Sequence, residues 1–388
     1  MPFTGRYSLA DEREHVPDVR KRMVATAVLM ASAAFLVACA NDVGAMTGGA
    51  ADAEFVITGV AGVERISQLT GPDSANDTGS AMVAGTDLGS MFEADGRTWF
   101  VFGDTFGERP GDAFGGTGGI WRSNVLAHST DDDPSDGISL DGFVTDDLGW
   151  ATEALPSKKV DGDEMTVIPT YGFEANGDLY LHSMSVRRWG EPGEWETNHA
   201  GLARSDDDGT TWRSLDDMVW PGGGGFQQVS VAHVGDDLYF WGIPAGRLGS
   251  VQLMKVAERE VETASAYRYF SGTDAAGRPF WSDAAEDAAT VIDRATGELS
   301  VQWNPGLERW VMTTMIDNSD AALYEGITPW GPWSEPTTLI TQSELPGLYA
   351  PFLSPRFISD DGRTMYFTLS QWGPYNVFWY KLDLATAG

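Results

Sequence analysis

GTDLGSMFEADGRTWFVFGDTF, residues 85–106, reads as one β-hairpin and sets the pattern for the rest of the chain. Asp95 and Gly96 sit between two runs rich in apolar and aromatic residues. An Asp-Gly pair in that setting favours a two-residue type I′ turn, because both central residues must take positive φ. With these two as the turn, Phe92 faces Trp99 and Asp87 faces Asp104.

The same unit, a polar turn with glycine followed by an aromatic strand, recurs along the chain. It appears at Asn176-Gly177 before LYLHSMS, at Gly235 to Asp237 before LYFWGIP, at Asn304 to Gly306 before ERWVMTT, and at Asp361-Gly362 before TMYFTLS. The turn glycines at 96, 177, 235, 306 and 362 leave room in each unit for about four short strands and a variable loop, the repeat signature of propeller blades. Five instances predict an all-β, five-bladed β-propeller over residues 53–388, with the segment Glu54 to Leu69 supplying a strand that closes the ring on the last blade. Only Val256 to Ala266 reads as a short helix. Ser205, Asp207, Gly209 and Trp212 fit S-x-D-x-G-x-x-W, a hairpin tie of several propeller families, with a degenerate copy at Ser359, Asp361 and Gly362. Its role is structural.

The N-terminus reads as an address. Arg20, Lys21 and Arg22 precede an apolar stretch from Met23 to Ala38, too short to span a bilayer core that needs about 20 residues. Leu36, Val37 and Ala38 before Cys39 match a bacterial lipobox. Residues 1–38 are therefore expected to be a lipoprotein signal, Cys39 the acylated residue, and residues 39–52 a tether. The expected location is the outer face of the cell membrane. Cys39 is the only cysteine, so no internal disulfide framework is available.

The net charge is −32. Such a chain repels phosphate backbones and anionic lipid, which argues against nucleic-acid binding and leaves the acyl group as the membrane contact. A neutral polysaccharide remains compatible. The five histidines, at 15, 128, 182, 199 and 233, show no paired metal spacing, and there is no G-x-S-x-G or phosphate loop. No metal or cofactor is expected.

Two aspartates directly opposed on neighbouring strands would have Cβ atoms about 4.5–5.5 Å apart, where like charges are destabilising. One pKa must then rise, and a split pair can supply both a proton donor and a base or nucleophile, the requirement of glycoside hydrolysis. A bulge at Gly89 or Gly103 would shift this register. Eight residues beyond each turn glycine stand Asp104, Ser185, Ile243, Thr314 and Ser370, expected to converge at one end of the funnel, with Arg187, Arg247, Asp317, Gln371 and Trp372 just beyond. WRSNVLA adds Trp121, Arg122 and Asn124, and RRWGEPGEWETNHAG adds Trp189, Trp195 and Asn198 as substrate walls.

TDLGSMF, FGDTF, WRSNVLA, IPTYGF, LYLHSMSVRRWG, NHAGLARSDDDGTTW, WGIPAGRLGSVQLMKV, WNPGLERWVM and LYAPFLSPRF occur in that order from about residue 80 to 380. Together they resemble a family of actinobacterial secreted proteins, first catalogued as a domain of unknown function and associated with endo-D-arabinanases that cleave mycobacterial arabinogalactan and lipoarabinomannan. The resemblance implies a five-bladed propeller hydrolysing internal α-D-arabinofuranosyl linkages, with Asp87 and Asp104 as catalytic carboxylates. The substrate-binding set is Arg122, Asn124, Trp195, Asn198, Arg247, Tyr349, Gln371 and Trp372. Glu153, Glu174 or Glu325 is an alternative proton donor. Two rivals stand beside this reading. One is a non-catalytic surface glycan-binding propeller, which has no need of the aspartate pair. The other is a sialidase-like hydrolase, disfavoured by the scarcity of basic residues.

Overall fold

The structure, a computed structural model, describes residues 54–387. The expected signal, Cys39 and the tether lie outside the described residues. Strand β1 (Ile57–Gln68) is followed by a first group of β2 (Leu88–Ala94), β3 (Arg97–Phe102), β6 (Val125–Ser129) and β7 (Gly142–Phe143), paired in that order. Between β3 and β6 the chain makes a separate ribbon of β4 (Thr105–Glu108) and β5 (Gly119–Arg122). The second group is β8 (Thr166–Ala175), β9 (Asp178–Trp189), β10 (Trp195–Ser205) and β11 (Arg213–Pro221).

The third group is β12 (Gln228–Val234), β13 (Asp237–Ile243) and β14 (Gly249–Ala257), extended by β15 (Arg268–Thr273) and β16 (Pro279–Ser282). The fourth is β17 (Thr290–Asn304), β18 (Arg309–Ile316), β19 (Asp320–Gly326) and β20 (Thr337–Ile340), joined to the third through β14 and β17. The fifth is β21 (Leu348–Ile358), β22 (Thr364–Gln371) and β23 (Asn376–Thr386), completed by antiparallel pairing of β1 with β23. The first strands of the groups touch in a closed cycle, β2 to β8, β12, β17, β21 and back to β2. This is the architecture of a β-propeller.

The aromatic runs are explained by where they lie. Strands β3, β13 and β18 are second in their groups and buried along nearly their whole length, because neighbouring groups cover both sheet faces. Alternation survives on the outermost strand β11, where one face meets water. The hairpin turn forms as its residues dictate, with φ of 50° at Asp95 and 74° at Gly96. The tie at Ser205 also forms: Ser205 Oγ donates to Asp207 Oδ1 at 2.8 Å, and Trp212 Nε1 donates to the Gly209 carbonyl at 3.0 Å. The expected helix at Val256 to Ala266 does not form. Val256 and Ala257 end β14, and the chain then makes only two single 3₁₀ turns, Glu258–Glu260 and Ala264–Ala266.

Ring closure explains Glu325. Its buried carboxylate accepts from the amides of Val56, at 2.9 and 3.0 Å, and Ile57, at 2.8 Å, and pairs with Arg309 at 2.9 Å. It clasps the first strand to the fourth group and does not line the cavity described below. Among the described residues no helix is long and apolar enough to cross a membrane.

Candidate active site

Asp87 precedes β2, and the register beside it is not the one the hairpin rule gives. Pairing runs as expected from Ala94↔Arg97 through Phe92↔Trp99 to Ser90↔Val101, then slips so that Leu88 pairs with Phe102. A bulge at Leu88 and Gly89, with φ of 65° and 82°, absorbs the extra residue. Gly103 therefore donates its amide to the Asp87 carbonyl at 3.1 Å, and Asp87 stands opposite Gly103 instead of Asp104. The direct cross-strand pairing of the two aspartates is corrected by this slip. Gly103 is needed here because a Cβ in its place would lie 2.5 Å from Asp87 Oδ1.

The two carboxyls meet all the same, in a cavity of about 610 Å³ lined by both. Tyr349 donates its hydroxyl to Asp87 Oδ2 at 2.9 Å, while Oδ1 is buried and has no hydrogen-bond partner among the described residues. Tyr375 packs its phenol beside the same carboxyl. Asp104 is held differently. Its Oδ1 accepts from Thr166 Oγ1 at 2.7 Å, at the start of β8, and from Trp121 Nε1 at 2.8 Å, in β5.

Burial, then the Asp104 charge, pushes Asp87 up to about 8 despite the Tyr349 hydrogen bond. Burial pushes Asp104 up to about 6, and the bonds from Thr166 and Trp121 hold it from rising further. Both shifts run upward, and the larger one on Asp87 favours the proton resting there before it rests on Asp104. Burial, together with the Asp87 charge, also pushes the Tyr349 phenol upward, so that it stays a donor.

Arg247 enters the cavity already paired. Its Nη2 lies 2.7 Å from Glu298 Oε1, and its Nε donates to both carboxylate oxygens at 3.0 Å. Glu298, on β17, is absent from the residues the sequence motifs point to; the alternation Glu298, Ser300, Gln302 along that strand marks a polar inner face and is the signal for it. Tyr375 is absent from them as well.

The remaining sequence-derived residues divide. Trp195, Arg247, Tyr349 and Trp372 line the cavity, and so does Trp189. Arg122 and Asn124 do not. Arg122 spends its guanidinium on the carbonyls of Ala151, at 2.8 Å, and Met82. Asn124 is fully buried, donating to Leu155 and Val167 carbonyls at 2.7 and 2.9 Å and accepting from the Leu155 amide at 2.9 Å. Both brace the framework, which corrects their placement as substrate contacts. Asn198 donates to the Asp163 carbonyl at 2.7 Å and to Ser185 Oγ at 3.1 Å, and Gln371 to the Pro346 carbonyl at 3.2 Å; neither lines the cavity.

The alternative acids also lie elsewhere. Glu153 accepts from the Ser123 amide at 2.7 Å and pairs with Lys159, near enough to Asp104 to repel its charge but outside the lining. Glu174, whose carbonyl bonds His233, is outside the cavity lining and sits among Asp95 and Glu258. Among the described residues no three His, Cys, Asp or Glu side chains cluster as ligands of one metal ion.

Among solved structures the chain is similar to an inferred hydrolase from Bacteroides ovatus, with TM-score 0.53 and 13% identity, covering 79% of this chain and 88% of that one. It is also similar to a family 117 glycoside hydrolase of Zobellia galactanivorans, with TM-score 0.48 and 13% identity over 83% and 90% of the two chains. A GH43_1 enzyme from Xanthomonas citri gives TM-score 0.45 at 13% identity over 83% and 93%. Likeness at such identity speaks to fold alone. No curated protein matches the chain in sequence. One family model does match, over residues 73–381, and the chain thus belongs to DUF4185, a domain of unknown function.

Proposed function

We propose that the protein is a glycoside hydrolase that cuts internal α-D-arabinofuranosyl linkages in arabinogalactan or lipoarabinomannan of the mycobacterial type. The observation that carries the hydrolytic reading is the pair of buried carboxyls, one pushed up to about 8 and the other to about 6, in one cavity. Stability alone gives no reason to bury two such groups together. The choice of D-arabinan rests on the sequence resemblance.

In this reading Asp87 is the acid. It passes its proton to the glycosidic oxygen as the bond from the anomeric carbon to that oxygen breaks. Asp104, whose carboxylate form two donors favour, takes a proton from the incoming water or itself attacks the anomeric carbon. In the first case the water oxygen bonds the anomeric carbon, Asp104 releases its proton to solvent and Asp87 is recharged from solvent. In the second, Asp87 takes a proton from a water whose oxygen displaces Asp104 from the anomeric carbon, which frees Asp104 and recharges Asp87. Arg247, fixed by Glu298, and Tyr349 orient the sugar.

The test is incubation with purified arabinogalactan, with fragments sized and their anomeric form followed by NMR. Wild-type protein is expected to release oligosaccharides, and Asp87→Asn and Asp104→Asn proteins to be slower by at least about 10²-fold. Release of nothing by wild-type protein that still binds the polymer would favour the glycan-binding reading instead. We further propose that the protein is exported and held at the membrane by an acyl chain on Cys39, on the strength of the residues preceding it.

A further inference from the structure

Two arms of aromatic contacts diverge from Tyr349, beside the carboxyls, and run outward in different parts of the fold. On one, the Tyr349 ring that holds Asp87 lies 6.5 Å from Trp372, which meets Tyr375 edge-on at 5.5 Å. Phe114, in the β4–β5 loop, continues this arm outward: a Cβ on Gly373 would stand 3.2 Å from its ring, and one on Gly115 would run into Trp372. On the other arm the Arg247 guanidinium lies 5.1 Å over Tyr349 and 5.9 Å over Trp195, and Trp195 meets Trp189 edge-on at 5.6 Å. Both arms end in open rings. Trp372 is 46% exposed, Phe114 72% and Trp189 43%; of the other tryptophans only Trp150, at 38%, is exposed, and the rest are buried or half-buried.

The arms have a defined relation to the chemistry. Trp372 follows β22 in the fifth group and Trp189 ends β9 in the second, and these are the two neighbours of the first group, which carries both aspartates. Exposed indole and phenyl faces present an apolar surface that suits the C–H faces of sugar rings. The cation between the arms, Arg247, is already neutralised by Glu298, and the net charge of −32 opposes a polyanion. An uncharged glycan fits both facts.

We infer that Trp189 and the Phe114–Trp372 pair are two sugar-stacking subsites on either side of the carboxyls, so that one neutral glycan chain lies across the cavity with a sugar on each. The inference rests on the proposed hydrolase reading only in calling the point between them the point of cleavage. It departs from a dead-end pocket in needing sugars on both sides.

Binding tests it without turnover. Affinity electrophoresis of wild-type, Trp189→Ala, Phe114→Ala and double-variant proteins, each also carrying Asp104→Asn, would be run through gels containing D-arabinan or another neutral polysaccharide. Each single change should weaken retardation about three- to tenfold, from the loss of one aromatic face, and the double change by roughly the product. Circular dichroism of the same proteins checks that these rim changes leave the fold intact. Variants retarded as strongly as their parent, or a parent retarded by no neutral glycan, would overturn the inference. A parent that binds and variants that lose binding, beside wild-type protein that cleaves nothing, would uphold the subsites while sinking the hydrolase reading.

Discussion

Asp87 and Asp104 differ in how their oxygens are used, and the roles proposed for them rest on that difference. Asp104 gathers two donors on one oxygen, from Thr166 and Trp121, which favours its ionised form. Asp87 has one good donor, Tyr349, and an orphaned buried oxygen where a proton can sit. In the proposed mechanism the active form is then the one with Asp104 ionised and Asp87 protonated. Activity should be bell-shaped, rising through about pH 6 and falling through about pH 8. The Tyr349 bond favours the charged form of Asp87, so its removal must raise that pKa. A Tyr349→Phe protein should keep its acid limb and move its alkaline limb upward by about one unit, the worth of one hydrogen bond to a charged group. Rate profiles of the two proteins across pH check this, and an unmoved or lowered alkaline limb would refute it.

At the scale of the strand, the turn is readable in the sequence, whereas the bulge is readable only as an option at Gly89 or Gly103. Asp95 and Gly96 carry their own conformational preference, so the hairpin tip follows from two adjacent residues. Nothing in the side chain of Leu88 announces a positive φ, which an aliphatic residue takes only when its surroundings require it. The slip it creates puts Asp87 over Gly103 and makes that glycine a spacer for the carboxyl. A Gly103→Ala protein should lose about 1–3 kcal/mol of stability from the added methyl and about 10²-fold in rate from the displaced carboxyl. Thermal melts and rates on the same glycan would show both; a normal rate would mean that Asp87 need not stand where it does. Asn124 and Arg122 illustrate the opposite error. In sequence they read as polar residues near a site, yet the Asn124 amide and both terminal nitrogens of Arg122 donate to backbone carbonyls of neighbouring segments.

Across the whole molecule, the ring brings together what the sequence keeps apart. Tyr349 lies 262 residues from the aspartate it holds, and Glu325 lies 268 residues from Ile57, whose amide donates to it. The repeat of turn and aromatic strand is legible because each unit is local. The inner surface is legible only where the residue type is conspicuous, as with Trp195, Arg247 and Trp372. Glu298 and Tyr375 acquire their positions only when the groups close into a cycle, and Glu325 reads as a free acid in sequence for the same reason. The address proposed for the N-terminus belongs to this scale too. A Cys39→Ser protein is expected to leave the membrane fraction for the medium when expressed in its native setting, and its retention in membranes would contradict the acyl anchor.

The proposed chemistry depends on one protonation state. Carboxyl ¹³C NMR titration of wild-type and Asp104→Asn proteins, with Asp87 assigned by its absence in Asp87→Asn, measures it directly. The wild-type Asp87 signal should titrate near 8, and its midpoint should fall when the neighbouring charge is removed. An Asp87 signal that titrates below about 5, in the ordinary carboxylate range, in both proteins would contradict the assignment of Asp87 as the acid.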